Sequence, residues 1–428
     1  MIARRAALTL PAGLALMATH TSPSAAQGAA PPLERAERPE ELGFSRERLG
    51  RLTAWYQAEV DAGRIPGAVV VVGRAGRLAW HEAIGMRDRD TRAPMQKDTL
   101  FRIASMTKPV TSLAAMILVE EARLMLWHPV SRFLPEFKDL KVGTEGAALE
   151  REPTVLDLLR HTSGLTYGSP TAPAGSIARA YADAKVGDQS QTGEAFTANI
   201  ARQPLAHQPG RYWDYSHSTD VLGRVVEVAS GQPLDRFFAE RILGPLGMTE
   251  TAFRAGQERA GRLAQPQIDP LTNARQYIPA LVERPNWFWG GQGLVSNAID
   301  YARLCQMFLG NGSLGDTRVV SRSTVALMAA DHLPPGTGTE PEVFRNQAVL
   351  APVPENGHGF GLGFVVRSSA GRTPLPGSAG DYSWAGAYGP YFWIDPKEDL
   401  YAVLMIQGPA NRMHYRYAMR QLVYQALT

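Results

Sequence analysis

Phe101-Arg102-Ile103-Ala104-Ser105-Met106-Thr107-Lys108 holds the only S-x-x-K among the 428 residues of this chain, Ser105 to Lys108. An extended stretch, Thr99 to Ala104, gives way there to a helical pattern over Ser105 to Arg123. Val110, Leu113, Ala114, Ile117 and Leu118 fall on one side of that helix. A three-residue offset puts Ser105 and Lys108 on the same face. The Ser105 hydroxyl would then stand at a helix N-terminus, where backbone N–H groups and the dipole favour a developing negative charge. A serine is a poor nucleophile until a base takes its proton, and a lysine serves as that base only when neutral. The same tetrapeptide also fits an N-capping serine followed by a solvated lysine.

Two later segments carry the residue types that such a serine needs. Tyr215-Ser216-His217 follows the turn Gln208-Pro209-Gly210 and the aromatic stretch Tyr212-Trp213-Asp214. It precedes a helix predicted over Thr219 to Ser230, with Ser218 as its N-cap and Gly231 as its stop. A loop tyrosine can share a proton with a lysine, one of them acting as base; it can equally be an aromatic packed on the core. His217 by itself reads as a polar loop residue. In Ser383-Trp384-Ala385-Gly386-Ala387-Tyr388-Gly389, small residues within a strand allow close approach of a ligand or another backbone. A backbone N–H there would complete an oxyanion hole with that of Ser105. A β-bulge or a packing requirement would select the same residues.

The two ends of the chain alternate helix and strand. A helix is expected over Arg46 to Val60, then strands Ala68 to Val72 and Leu78 to Ala83 joined at Arg74-Ala75-Gly76-Arg77. Near the C-terminus, Gly359 to Val366, Ser383 to Ile394 and Leu400 to Gln407 read as strands, and Asn411 to Leu427 as an amphipathic helix. Helices dominate between, including Ala298 to Leu309 and Thr324 to Ala330. The termini are therefore expected to share one antiparallel sheet, with the middle as a helical insertion: an α+β fold, an antiparallel β-sheet flanked by helices plus an all-helical lobe.

Composition narrows the function. With 44% hydrophobic and 20% charged residues the chain is not a disordered one. A formal charge of +3, from 44 basic and 41 acidic residues without long one-sign blocks, gives no nucleic-acid signature. The single cysteine, Cys305, excludes an intrachain disulfide and any multi-cysteine metal site, and its apolar neighbours make it a packing residue. G-x-S-x-G, H-E-x-x-H and Gly-Lys are all absent, so neither a metal nor a cofactor is expected. Residues 1–26 read as a signal peptide: Arg4-Arg5, an apolar run from Ala6 to Ala18, then Ser24-Ala25-Ala26. Cleavage would remove both arginines and leave the chain near neutral. Residues 27–41, rich in Ala, Pro and charge, read as a linker.

Taken together, these segments resemble the serine β-lactamase and penicillin-binding-protein superfamily, and most of all its β-lactamase-like carboxylesterases, family VIII, related to class C β-lactamases. The resemblance runs from about Leu42 to the C-terminal helix. Asp157-Leu158-Leu159-Arg160-His161-Thr162-Ser163-Gly164-Leu165 and Trp289-Gly290-Gly291-Gln292-Gly293-Leu294-Val295-Ser296 add to it. It implies one domain over 42–428, with an α/β lobe of about 42–104 and 311–428 and a helical lobe of about 105–310. It implies that Ser105 is the nucleophile of an acyl-enzyme, that Lys108 and Tyr215 form the base system, and that the N–H groups of Ser105 and Ala387 form the oxyanion hole. Trp384, Gly386 and His217 would meet the substrate. The implied partner is a small-molecule ester, with no nucleic acid and no membrane insertion once the leader is gone, in a bacterial periplasmic or secreted setting.

Two departures bear on specificity. His217 stands where β-lactamases usually have Asn, and Trp384-Ala385-Gly386 replaces K-T-G. No Lys or Arg occurs from Ser378 to Phe392, so that strand offers no cation for a β-lactam carboxylate; Arg372 lies upstream. Gly168 to Ala201 and Leu333 to Pro354, the expected specificity loops, have little pattern.

Overall fold

The computed structural model describes residues 32–278, 285–339 and 351–428. The leader, the first residues of the expected linker and part of the Leu333–Pro354 loop lie outside them. An eight-stranded antiparallel sheet runs in the order His358–Phe360, Val365–Arg367, Tyr382–Ala385, Tyr391–Asp395, Leu400–Ile406, Gly67–Arg74, Arg77–Asp88, Ala93–Pro94. The last strand of the chain thus lies beside the first, with Val70 opposite both Leu404 and Glu82. The stretches expected as single strands over Gly359–Val366 and Ser383–Ile394 are each two strands folded back at a glycine-containing turn.

The central strands are apolar on both faces because both faces are covered. Val70, Trp393, Leu404 and Ile406 pack with Leu49, Leu52 and Tyr56 of helix Arg46–Asp61 and with Met419 and Val423 of helix Arg412–Tyr424. Val69, Val71, Phe392 and Val403 face the opposite layer. Ser45 caps the first helix by accepting from Arg48 N–H at 3.3 Å, and Tyr56 Oη donates to the Tyr415 carbonyl at 2.8 Å, tying the two outer helices together.

Helix Ala298–Leu309 forms with the expected bounds, but it packs on the sheet and not in the helical lobe. Tyr301 meets Phe392 at 5.0 Å and Phe308 meets Phe364 at 5.2 Å. Cys305 is buried there, and burial pushes its thiol up. The helical part is centred on Thr107–Glu120, whose first twelve residues are all buried between its neighbours. It packs against Ser218–Ser230. The N-cap of that second helix is His217 and not Ser218, with no side-chain cap bond; Gly231 ends it in the left-handed region, φ 69°.

The expected linker is also corrected. Leu78 N–H donates to the Glu34 carbonyl at 2.8 Å and Ala36 N–H to the Leu78 carbonyl at 3.0 Å. Pro39–Leu42 then forms a 3₁₀ turn with Pro39 and Leu42 buried. Gly168–Ala201 is likewise more than a loop, since it contains helices Ile177–Asp183 and Gly193–Ala201.

Candidate active site

The Ser105 turn is fixed from several sides. Ala104–Met106 is a 3₁₀ turn that runs into helix Thr107–Glu120. Ala104 has φ 45°, a left-handed conformation that an alanine adopts only under tertiary constraint. Phe101–Arg102 pairs with Val295–Ser296, Leu294 N–H donates to Thr107 Oγ1 at 3.1 Å, and Tyr301 Oη donates to the Met106 carbonyl at 2.9 Å. Ser105 is 8% exposed and Lys108 1%.

Lys108 Nζ donates to Ser105 Oγ at 3.4 Å, to Tyr167 Oη at 3.1 Å and to the Gly291 carbonyl at 2.8 Å. Among the described residues no carboxylate pairs with it. Tyr215 presents its ring to Lys108 Nζ, 4.6 Å from the centroid, and its buried hydroxyl has no partner among the described residues. The expected Lys108–Tyr215 pair is therefore an amine over a ring, and the hydroxyl bonded to the amine is that of Tyr167. Burial pushes the Tyr167 phenol well above its usual range, which keeps it neutral.

His217 is buried, with Nδ1 2.8 Å from Asp220 Oδ2 and its ring edge-on to Tyr167 at 4.5 Å. The other Asp220 oxygen accepts from Gly291 N–H at 2.8 Å. A Cβ on Gly291 would lie 2.7 Å from that carboxylate, so only glycine lets the loop come close enough to offer its carbonyl to Lys108. Asp220, Gly291 and Tyr167 thus belong to the site although the sequence did not single them out. The Trp289-Gly290-Gly291 and Ser163-to-Tyr167 stretches were the available signals.

Trp384 is buried and packs against Tyr215, ring centroids 5.2 Å apart. Gly386 abuts the Ile103 carbonyl at a distance that leaves no room for a Cβ. This sets the turn after Trp384 beside the one that carries Ser105. Among the described residues, neither the Ser105 nor the Ala387 N–H donates to a backbone acceptor. Arg372 is on the surface, bonded to the Pro354 carbonyl. Arg102 instead lines a cleft of about 450 Å³ with Trp289, Gln292, Leu294 and Tyr388.

His161, in the wall behind Tyr215, accepts from Ser216 N–H at Nδ1 (3.4 Å) and reaches Thr219 Oγ1 through Nε2 (3.4 Å). Burial, then Lys108, pushes it well below its ordinary 6.5, and burial takes His81 down to about 4. Both are neutral when folded, whereas the unfolded chain binds those protons first. Stability is accordingly expected to be level above pH 6.5 and to fall below it, by about 1.4 kcal/mol per pH unit for each histidine until its folded pKa is reached, with Asp300, raised by burial to about 6, offsetting one of the two between about pH 6 and its ordinary 3.8. Urea unfolding at pH 7, 6 and 5 checks this; a flat profile contradicts it.

The model of the beta-lactamase family matches residues 52–425. The chain belongs to the beta-lactamase family. Protein Rv1367c of Mycobacterium tuberculosis is 41% identical over 360 residues, 81% of this chain and 87% of that one. Esterase EstB of Burkholderia gladioli is 31% identical over 399 residues, 87% and 94% of the two chains. The solved structure of EstCE1, a hydrolase with promiscuous acyltransferase activity, superposes with a TM-score of 0.74 at 28% identity, covering 88% of this chain and 99% of that one. The protein is thus a serine hydrolase of this family, with the mixed fold and large antiparallel sheet that the resemblance implied.

Proposed function

We propose that this protein is an exported carboxylesterase that cleaves short-chain esters through an acyl-enzyme on Ser105. The observation that carries the proposal is the buried Lys108 amine, 3.4 Å from Ser105 Oγ and held by Tyr167 and Gly291. Ser105 Oγ attacks the ester carbonyl carbon as its proton passes to the Lys108–Tyr215 pair, of which Lys108, in its neutral amine form, is the member in reach of Oγ. The carbonyl oxygen takes the electron pair and is met by the N–H groups of Ser105 and Ala387. Collapse expels the alcohol, which takes up the proton. Water then attacks the acyl carbon and releases the acid. An alcohol in place of water gives a new ester, in line with the acyl transfer named for EstCE1.

The absence of Lys and Arg from Ser378 to Phe392 favours uncharged esters over β-lactams. A second reading, a β-lactamase or D-alanyl carboxypeptidase, is favoured by one observation, the Arg102 side chain, three residues before Ser105, on the wall of the cleft lined by Trp289 and Gln292. Hydrolysis of p-nitrophenyl esters of increasing acyl length, with nitrocefin alongside, separates the two. The best kcat/KM is expected for a short acyl chain. Nitrocefin should fall below it by roughly tenfold to a hundredfold, the worth of a missing charged hydrogen bond. Nitrocefin at or above the best ester would reverse the assignment.

A further inference from the structure

Arg416, on the C-terminal helix, is 3% exposed and has no carboxylate partner among the described residues. A buried cation without a counter-ion is costly unless its donors are satisfied. Here Nη1 goes to Met413 Sδ at 3.2 Å and the others are spent on one turn. Nη2 donates to the Gly386 carbonyl at 2.5 Å and the Pro390 carbonyl at 3.4 Å, and Nε to the Gly389 carbonyl at 3.3 Å. The turn is closed on itself as well, Gly386 N–H to the Pro390 carbonyl at 2.8 Å and Gly389 N–H to the Gly386 carbonyl at 3.0 Å.

The Gly386 carbonyl and the Ala387 N–H are the two ends of a single peptide group. The group is planar, so fixing its oxygen aims its N–H the opposite way. A cation on the oxygen also draws electron density from the nitrogen, and linked hydrogen bonds strengthen one another by roughly 10–30%. We infer that Arg416 is a positioning residue for the oxyanion hole, orienting and polarising the Gly386–Ala387 peptide so that Ala387 N–H meets the acyl oxygen. This rests on the acyl-enzyme assignment of Ser105.

The test compares the full-length enzyme with Arg416→Met and Arg416→Lys. Each is given a slowly deacylating ester labelled with ¹³C at the carbonyl, and the acyl-enzyme carbonyl stretch is read by infrared difference spectroscopy beside steady-state kinetics. In Arg416→Met, kcat is expected to fall roughly 10- to 100-fold, less than the ~10²–10³ for removing an oxyanion donor outright, with KM changed by less than about threefold. The carbonyl band should move to higher wavenumber. Arg416→Lys, which keeps the charge but lacks the fork, should recover part of both. A folded Arg416→Met enzyme with the wild-type band and kcat overturns the proposal. If the Met variant does not fold, a wild-type band and kcat in Arg416→Lys overturn it equally. Absence of an acyl-enzyme band in the wild type would instead overturn the Ser105 assignment itself.

Discussion

Ser105→Ala is expected to lower kcat for p-nitrophenyl ester hydrolysis at least ~10³-fold, because a nucleophile and its base act as a unit and removing one member removes the covalent route. The variant should also lose its covalent adduct with a phosphonate ester, read as intact mass. Its fold should survive. Among the described residues Ser105 Oγ is bonded to Lys108 alone, while Lys108 keeps Tyr167 and Gly291 as acceptors when the hydroxyl is gone. Replacing Oγ by hydrogen removes one of the three acceptors around the buried Lys108 amine, so unfolding free energy should fall by no more than about 1–3 kcal/mol. Full turnover by a folded Ser105→Ala enzyme would rule out the acyl-enzyme.

The parts of this site visible in the sequence are those set by local geometry. Ser105 and Lys108 are three residues apart on a helix, so their meeting needs no knowledge of the rest of the chain. The groups that hold Lys108 lie 59 and 183 residues away, and no periodicity encodes such contacts. Tyr215 was found by its place before a helix, but whether it offers lysine its hydroxyl or its ring depends on the His161, Trp213 and Trp384 rings packed around it.

The fold divides in the same way. The outer helix and the sheet's central strands are legible because alternating or one-sided apolar residues state which faces are buried. Helix Ala298–Leu309 has an equally clear apolar side, but the side does not name its partner, so its place against Phe392 was missed. The segment from Glu34 to Glu41 falls within residues 27–41, whose composition reads as a linker. It is held by backbone hydrogen bonds to Leu78, which composition does not report. His217 reads in the sequence as a polar loop residue or a substrate ligand; the Asp220 carboxylate three residues on holds its ring beside Tyr167, on the wall of a cleft shared with Trp289 and Gln292.

Asp381→Ala is expected to cost about 3–5 kcal/mol of unfolding free energy, the range for breaking a buried ion pair from one side. Asp381 immediately precedes the strand that carries Trp384, and its carboxylate lies between Arg367, whose Nε is 3.0 Å away, and Arg420, which donates from Nη2; all three side chains are almost fully buried. The remaining guanidinium donors are satisfied by the Leu375 and Pro376 carbonyls and by Tyr391 Oη. One negative charge thus serves two positive ones, and alanine would leave two guanidiniums facing each other without solvent. Asp381→Asn, which keeps the shape and loses the charge, should be damaged less. Urea unfolding with an unchanged m-value measures both, and a Asp381→Ala variant within about 1 kcal/mol of wild type would show that the triad is not a source of stability. The activity readout separates this cluster from its neighbour on the same helix. Arg420 and Arg416 are one helical turn apart, but only Arg416 donates to the turn that bears Ala387. Asp381→Ala enzyme that is still folded should therefore keep near-normal kcat and lose activity only along its lowered unfolding curve, whereas Arg416→Met should lose kcat while fully folded.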